Sequence, residues 1–374
     1  MARMFLLSVV ALAACGGSER AQLEGTVGVV SLDDGPRLSA PRATHATVRT
    51  ETGELLAIGG CVAAGCEPGQ ASATVDVFSP DGVRLVRTGT LIERRVQPMA
   101  VAIGGSRVLV LGGWVDGRVS TTTEIFDSST GRSVPGPNLA RPLTSASLVR
   151  LHDARILIAG GYDGREVQAR AQIFDPKSNT FLNTGSLVTA RSGATASLLD
   201  DGRVLIAGGG DSESAGRRAL ASAELFDPAN DTFSQTGAMA QRRYKHGAVT
   251  LENGDVLVIA GSDERDYGGK LRSVERYDAA RGRFVAAGSL ARARFKLADG
   301  VMLIDDGRVL IGAGDEQPEV FDIDRQSGEL VAASLDGQWN YMTLVPAGKR
   351  TALLMGGYRE GRIEPTDRSW IVRF

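Results

Sequence analysis

Histidine and cysteine are scarce, with three of each among 374 residues. That shortage removes most routes to nucleophilic or acid–base catalysis, and no Ser-His-Asp order, phosphate-cradling glycine loop or paired-carboxylate signature is present. Excess charge is lacking as well, since 42 basic residues face 44 acidic ones. A chain without a basic field offers little to a polynucleotide, which excludes nucleic acid as a partner. Nor is there an apolar run long enough to cross a bilayer: residues 4–14 supply eleven apolar or small positions, where about 20 are needed.

That short run has a different meaning. Arg3 precedes it and Leu12-Ala13-Ala14-Cys15 closes it, the layout of a secretory signal. The LAAC stretch, followed by Gly16 and Gly17, resembles a bacterial lipobox. The resemblance implies that residues 1–14 are a lipoprotein signal peptide and that Cys15 carries the lipid. The alternative is an ordinary signal peptide with Cys15 beside its cleavage site. Residues 15–25 are small and polar, a tether reaching at most about 35 Å. Acyl chains would then hold the protein in the bacterial cell envelope, at the outer membrane or cell surface. Export also favours a local disulfide between Cys61 and Cys66. A metal site there would lack two of its four usual ligands.

Glycine, by contrast, is abundant at 47 residues, and it recurs in order. The stretch DGRVLIAGG at residues 201–209 is a turn, an apolar strand and a glycine doublet, with six further copies along the chain. The second glycine of each copy is Gly60, Gly113, Gly161, Gly209, Gly261, Gly314 or Gly357, at intervals of 53, 48, 48, 52, 53 and 43. Each copy is the second part of a four-part unit. The first part begins near an arginine and runs apolar. The third is a short strand: Glu124-IFD, Gln172-IFDP, Glu224-LFDP, Glu275-RYD, Glu319-VFD and a weaker Asp76-VFSP. The fourth carries an aromatic or aliphatic residue and then often Gly, as in Phe181-LNTG and Phe233-SQTG.

Four short strands per period of about 50 residues resemble the kelch repeat, over essentially all of residues 26–374. Phe replaces the usual Tyr in most third strands, and Phe or an aliphatic residue replaces the usual Trp in the fourth; both swaps keep apolar volume. The resemblance implies an all-β, seven-bladed kelch-like β-propeller spanning residues 26–374. Its last unit lacks a fourth strand, and an orphan strand at residues 26–32, followed by a turn at 33–36, is expected to close it. Closure removes exposed strand edges.

In such a unit, the residues after each doublet gather on one face with the links between units. The ligand-binding candidates there are Trp114, Tyr162, Asp163 and Asp211, together with Tyr244, Lys245, Lys296, Trp339 and Tyr341, which break the repeat. The alternative for all of them is a set of solvated turns. The recurring Arg42, Arg94, Arg141, Arg191, Arg243 and Arg292 could form an anion-binding ring. Repetition argues instead for structural pairs with Glu124, Glu224, Glu275 and Glu319. His45 and His246 repeat one position in units across the ring, and His152 lies in a turn on the opposite face, so no metal site is expected. Some kelch-like propellers are copper-radical oxidases using a Tyr crosslinked to Cys, a second Tyr and two His; with Cys61 and Cys66 side by side, that set is not visible.

The expected function is a binding or scaffold module for a protein or glycan, monomeric and without cofactor. The alternative is a carbohydrate-active enzyme, sialic-acid-mutarotase-like or galactose-oxidase-like, with its site at the channel mouth. A purely structural role in envelope assembly is the third reading.

Overall fold

A computed structural model describes residues 30–67, 69–212, 218–297, 299–361 and 363–374. The signal segment, Cys15, the tether, most of the N-terminal strand expected at residues 26–32 and part of the insertion after Gly209 lie outside the described residues.

The repeated stretch folds as its composition dictates. Asp201 accepts hydrogen bonds from the backbone N–H and Nε of Arg203 and so closes the turn. Val204–Ala207 follows as a fully buried strand. It pairs antiparallel with Thr195–Leu198 on one side and Ala223–Asp227 on the other, and Thr232–Gln235 completes the sheet. Gly208 and Gly209 then leave the strand at φ 62° and 93°. A Cβ at Gly208 would sit 2.6 Å from the carbonyl oxygen of Arg243, and one at Gly209 2.7 Å from that of Ser192. Backbone angle and close approach both require glycine here.

Antiparallel sheets of this order build the described chain, with no α-helix among the described residues. Two neighbouring pairs of sheets are joined by single parallel bridges, Thr90 to Arg132 and Ser289 to Ser327, where the long strands Leu85–Arg95 and Arg283–Arg294 reach across. Aromatic residues of the third strand pack at a tilt against those of the fourth: Phe174 against Phe181, Phe226 against Phe233 and Tyr277 against Phe284, with centroids 5.2, 4.8 and 5.0 Å apart. The core lies between successive sheets. Leu199 and Leu205 of one sheet, for example, pack against Val256, Val258 and Tyr277 of the next. Burying each such side chain stabilises by about 1.5–3 kcal/mol.

Hydrogen bonds link one unit to the next in a fixed pattern. The N–H of each second glycine donates to a carbonyl in the following unit: Gly60 to Arg95, Gly113 to Leu143, Gly161 to Arg191, Gly209 to Arg243, Gly261 to Arg294 and Gly314 to Trp339. Gly357 donates to Arg42, and the series closes on itself. The fold is all-β and β-propeller-like.

Three details differ from the sequence reading. The N-terminal strand is Ser31–Asp34, so Asp33 and Asp34 continue it where a turn was expected. It pairs with Ser369–Arg373 over all four residues, and this ladder keeps the two aspartates extended; their side chains face Arg373 and Arg368, at 2.8 and 2.9 Å. After Gly357 there are two further short strands, Tyr358–Arg359 and Glu364–Pro365, which join Trp339–Asn340 in a small sheet. The buried arginines also differ from those expected. Those fully buried are Arg42, Arg95, Arg191, Arg243 and Arg294. Arg94 and Arg292 are one and two residues out of place, and Arg141 is exposed. The five buried guanidinium groups meet Asp76, Glu124, Glu224, Glu275 and Glu319 at 2.7–3.1 Å. They belong to the architecture of the sheets, as repetition suggested.

Candidate ligand site at the channel mouth

The glycine doublets place their successors beside the links between units. Cys61, Trp114, Tyr162, Gly210 and Ser262 form bridges with Ala43, Val96, Thr144, Ser192 and Tyr244, and Tyr358 pairs with Asn340. The residue after each of these partners adopts a left-handed conformation: Thr44, Gln97, Ser145, Lys245 and Tyr341 at φ 51–54°, and Gly193 at 60°. Lys296 does the same at 58°. A non-glycine residue in this conformation costs roughly 1–3 kcal/mol. The backbone would be content with glycine, as at Gly193. The other units hold a polar side chain there at that cost.

Six of these positions, Thr44, Gln97, Ser145, Gly193, Lys245 and Tyr341, line a cavity of about 450 Å³. Below them the walls are mostly small residues, with His45 and His246 among them. Both imidazoles are buried and held through Nε2, by Thr343 Oγ1 at 2.9 Å and Thr195 Oγ1 at 3.0 Å. Burial, and second the neighbouring guanidinium, pushes each down to about 3. They are neutral wall residues. Asp299 is the one carboxylate among the described residues lining the cavity; it is open to solvent, and the protein packed around it works to raise its carboxyl.

Lys296 turns away from the cavity into the neighbouring corner. Its Nζ donates to the hydroxyls of Tyr267 at 2.6 Å and Tyr358 at 2.7 Å. It lies 4.1 Å from the Tyr267 ring, 4.8 Å from Phe295, 5.4 Å from Tyr358 and 6.0 Å from Tyr341. Such contacts favour the cation. Yet the side chain is 6% exposed and has no carboxylate within ion-pair distance among the described residues. Burial, followed by the Lys245 charge, therefore brings the ammonium down to about 8. Two further ammonium groups flank it: Lys245 pairs with Asp266 at 3.3 Å and Lys270 with Glu360 at 3.2 Å. Burial works to raise Asp266, but the Tyr244 hydroxyl, Lys245 and Lys296 outweigh it and hold the carboxyl low. Three ammonium groups against two carboxylates leave the corner with one unmatched positive charge.

The sequence candidates separate on these grounds. Tyr244, Lys245, Lys296 and Tyr341 converge at this corner. Trp114 and Tyr162 stack on each other, 6.4 Å apart, elsewhere on the same face. Asp163 serves its own turn, accepting from the N–H groups of Arg165 and Glu166 and from Gln168. Asp211 likewise holds Arg218, at 2.8 Å. Trp339, expected at the ligand face, is instead buried in the core. It stands where other units carry the buried arginine, donates Nε1 to the Leu335 carbonyl at 3.1 Å and packs against Trp370. Sequence reasoning did not single out Asp266, Tyr267, Lys270 or Glu360. The first three sit in the connection from Gly261 to the strand Leu271–Asp278, and its length was the available signal. Cys61 and Cys66 are joined in a disulfide.

No protein-family model matches the chain, and no curated protein sequence does. Among solved structures, a fungal alcohol oxidase of the AA5 family, in complex with copper, superposes with a TM-score of 0.69. Identity is 15%, over 92% of this chain and 75% of that one. The likeness is one of fold. The residues here do not suit copper. The two buried imidazoles are committed to threonines in separate sheets, both cysteines at the face are in a disulfide, and the tyrosine corner contains no histidine. Among the described residues no group of three His, Cys, Asp or Glu side chains is placed to hold a metal.

Proposed function

We propose that this protein is an exported, lipid-anchored propeller of the kelch type that acts on an acidic carbohydrate at the Lys296 corner of its channel mouth. The observation that carries the reading is Lys296 itself, a buried ammonium beside two further lysines and without a carboxylate of its own. An anionic ligand would supply the missing charge, and a buried cation gains most from such a partner. The rings of Tyr267 and Tyr341, exposed or half-buried, offer apolar faces to a sugar. An amine near 8 among phenol hydroxyls can exchange a proton with a sugar hydroxyl at neutral pH. That suits opening or closing of a hemiacetal. It does not suit a copper oxidation.

The seven-bladed arrangement is part of the same proposal. It is supported by the closed series of glycine hydrogen bonds and by the pairing of Ser31–Asp34 with Ser369–Arg373, which would complete the last blade. Lipidation at Cys15 and an envelope location rest on the sequence at residues 12–17.

Calorimetric titration with sialic, glucuronic and galacturonic acids, beside galactose as the neutral control, tests the site. Binding of an acid sugar that disappears in Lys296→Met supports it, as does faster anomeric exchange by NMR. Equal binding of galactose, or oxidation of galactose by copper-loaded protein, sinks it. A second reading, a binding or scaffold module for a protein or glycan, is favoured by the half-buried Trp114–Tyr162 pair on the same face. It predicts that Trp114→Ala removes partner binding while Lys296→Met does not.

A further inference from the structure

The third unit differs from its neighbours at one place in its interior. In five units the carboxylate that pairs with the buried arginine also accepts backbone N–H groups just upstream of that arginine, Asp76 that of Ser39 in the first. Glu124 takes those of Ile92 and Glu93, Glu224 those of Val188 and Thr189, Glu275 those of Ala240 and Gln241, and Glu319 that of Ala291. In the third unit Leu143 stands in place of the arginine and Gln172 in place of the glutamate. The upstream pair, Ala140 and Arg141, has the same bend as Val188 and Thr189. Their N–H groups and the Gln172 carboxamide have no hydrogen-bond partner among the described residues. In front of them opens a cleft of about 310 Å³, lined also by Gly160 and Arg170. No acidic residue lines it.

We propose that this cleft in the third unit is a receptor site for a small carboxylate, which takes the place that a built-in glutamate occupies in the sister units. The adjacent N–H groups of Ala140 and Arg141 supply a donor pair that binds carboxylate elsewhere in this same chain. Gln172 adds a side-chain N–H where a glutamate would repel the ligand. The Arg141 and Arg170 side chains bring positive charge to the rim, and guanidinium groups match carboxylate geometry. The site is separate from the Lys296 corner and does not depend on it.

The test is NMR titration of ¹⁵N-labelled protein with acetate, propionate and glucuronate, and with acetamide as the uncharged control. Saturable shifts of the Ala140 and Arg141 amides with the carboxylates, and none with acetamide, support the proposal. The response to glucuronate against that to acetate distinguishes a sugar acid from a simple carboxylate as the source. Leu143→Arg combined with Gln172→Glu rebuilds the sister-unit pair inside the cleft. This variant is expected to melt no lower than the native protein and to lose the shifts at least tenfold in affinity. Arg141→Ala with Arg170→Ala is expected to weaken them several-fold. Retention of native affinity in the rebuilt variant, or silence of both amides with every carboxylate, overturns the proposal.

Discussion

Arg191 donates to the carboxylate of Glu224 at 2.8 Å with neither side chain exposed, and the same two places are held by Leu143 and Gln172 one unit earlier. In the last unit they are held by Trp339 and Trp370, whose rings pack at a tilt with centroids 6.3 Å apart. The chain thus carries three solutions to one packing problem: a buried ion pair, an uncharged pair around a cleft, and an aromatic pair. Charge is kept or dropped on both sides together. Buried ions demand this, because a lone member would face its full desolvation cost.

Arg191→Leu alone should therefore destabilise the protein by about 3–5 kcal/mol, since Glu224 is left buried and unpaired. Arg191→Leu with Glu224→Gln, which copies the third unit, should recover more than half of that loss. Urea unfolding of the two singles and the double closes the cycle. A double variant that is as unstable as the sum of the singles would contradict the paired accounting.

His45 and His246 set the response to acid. Each is buried neutral, with its imidazole pushed from 6.5 down to about 3. In the unfolded chain both would take up a proton near 6.5. Stability is thus fully present above that pH and drains as the pH falls from 6.5 towards 3, by up to about 4 kcal/mol per histidine. His246→Gln should unfold at a lower urea concentration at pH 7 yet show a shallower decline between pH 6.5 and 4. Parallel declines in the native and substituted proteins would remove the histidines from the explanation.

Much of this was legible in the sequence because a repeat reports its own geometry seven times. The doublets fixed the strand ends, and the link from each doublet to one face followed from counting strands. The buried arginines were readable in kind, but Arg94 and Arg292 were chosen over Arg95 and Arg294 because adjacent or near-adjacent arginines compete for one slot that only register decides. Trp339 looked like an exposed exception to the repeat. It is a core substitute for arginine, visible only once Trp370 is known to lie opposite. Tyr267 and Glu360 escaped notice because the Lys296 corner is assembled from three units, and no single stretch contains it.

Lys296 gives the proposed site a pH signature. Its ammonium titrates near 8 in the folded protein, against 10.5 unperturbed. Between those values the unfolded chain holds a proton that the folded one has released, so stability rises with pH across that window. Anion affinity runs the other way. It should be level below about pH 7.5 and fall by up to tenfold per unit above 8 as the charge is lost. In Lys296→Arg the charge persists, and the affinity should stay level to pH 9.5. Titrations of an acidic sugar at half-unit steps measure this directly; a native profile that is flat to pH 9.5 would assign the anion to another cation.

The Ser31–Asp34 strand makes two kinds of contribution. Its ion pairs with Arg368 and Arg373 are largely exposed, and such pairs are worth about 0–1 kcal/mol each. Asp33→Asn with Asp34→Asn should hence leave the melting temperature within a few degrees of native. Its backbone pairing is another matter, because it covers the edge of Ser369–Arg373, a strand buried over four of its five residues. Without that cover the edge presents a row of unpaired N–H and C=O groups, which invites pairing between molecules. Deletion of residues 26–34 should give aggregates or edge-paired dimers, as measured by size exclusion with light scattering. A deletion variant that is monomeric and unfolds cooperatively would show that the sheet is complete without its N-terminal strand, and the closure would then belong to the glycine hydrogen bonds alone.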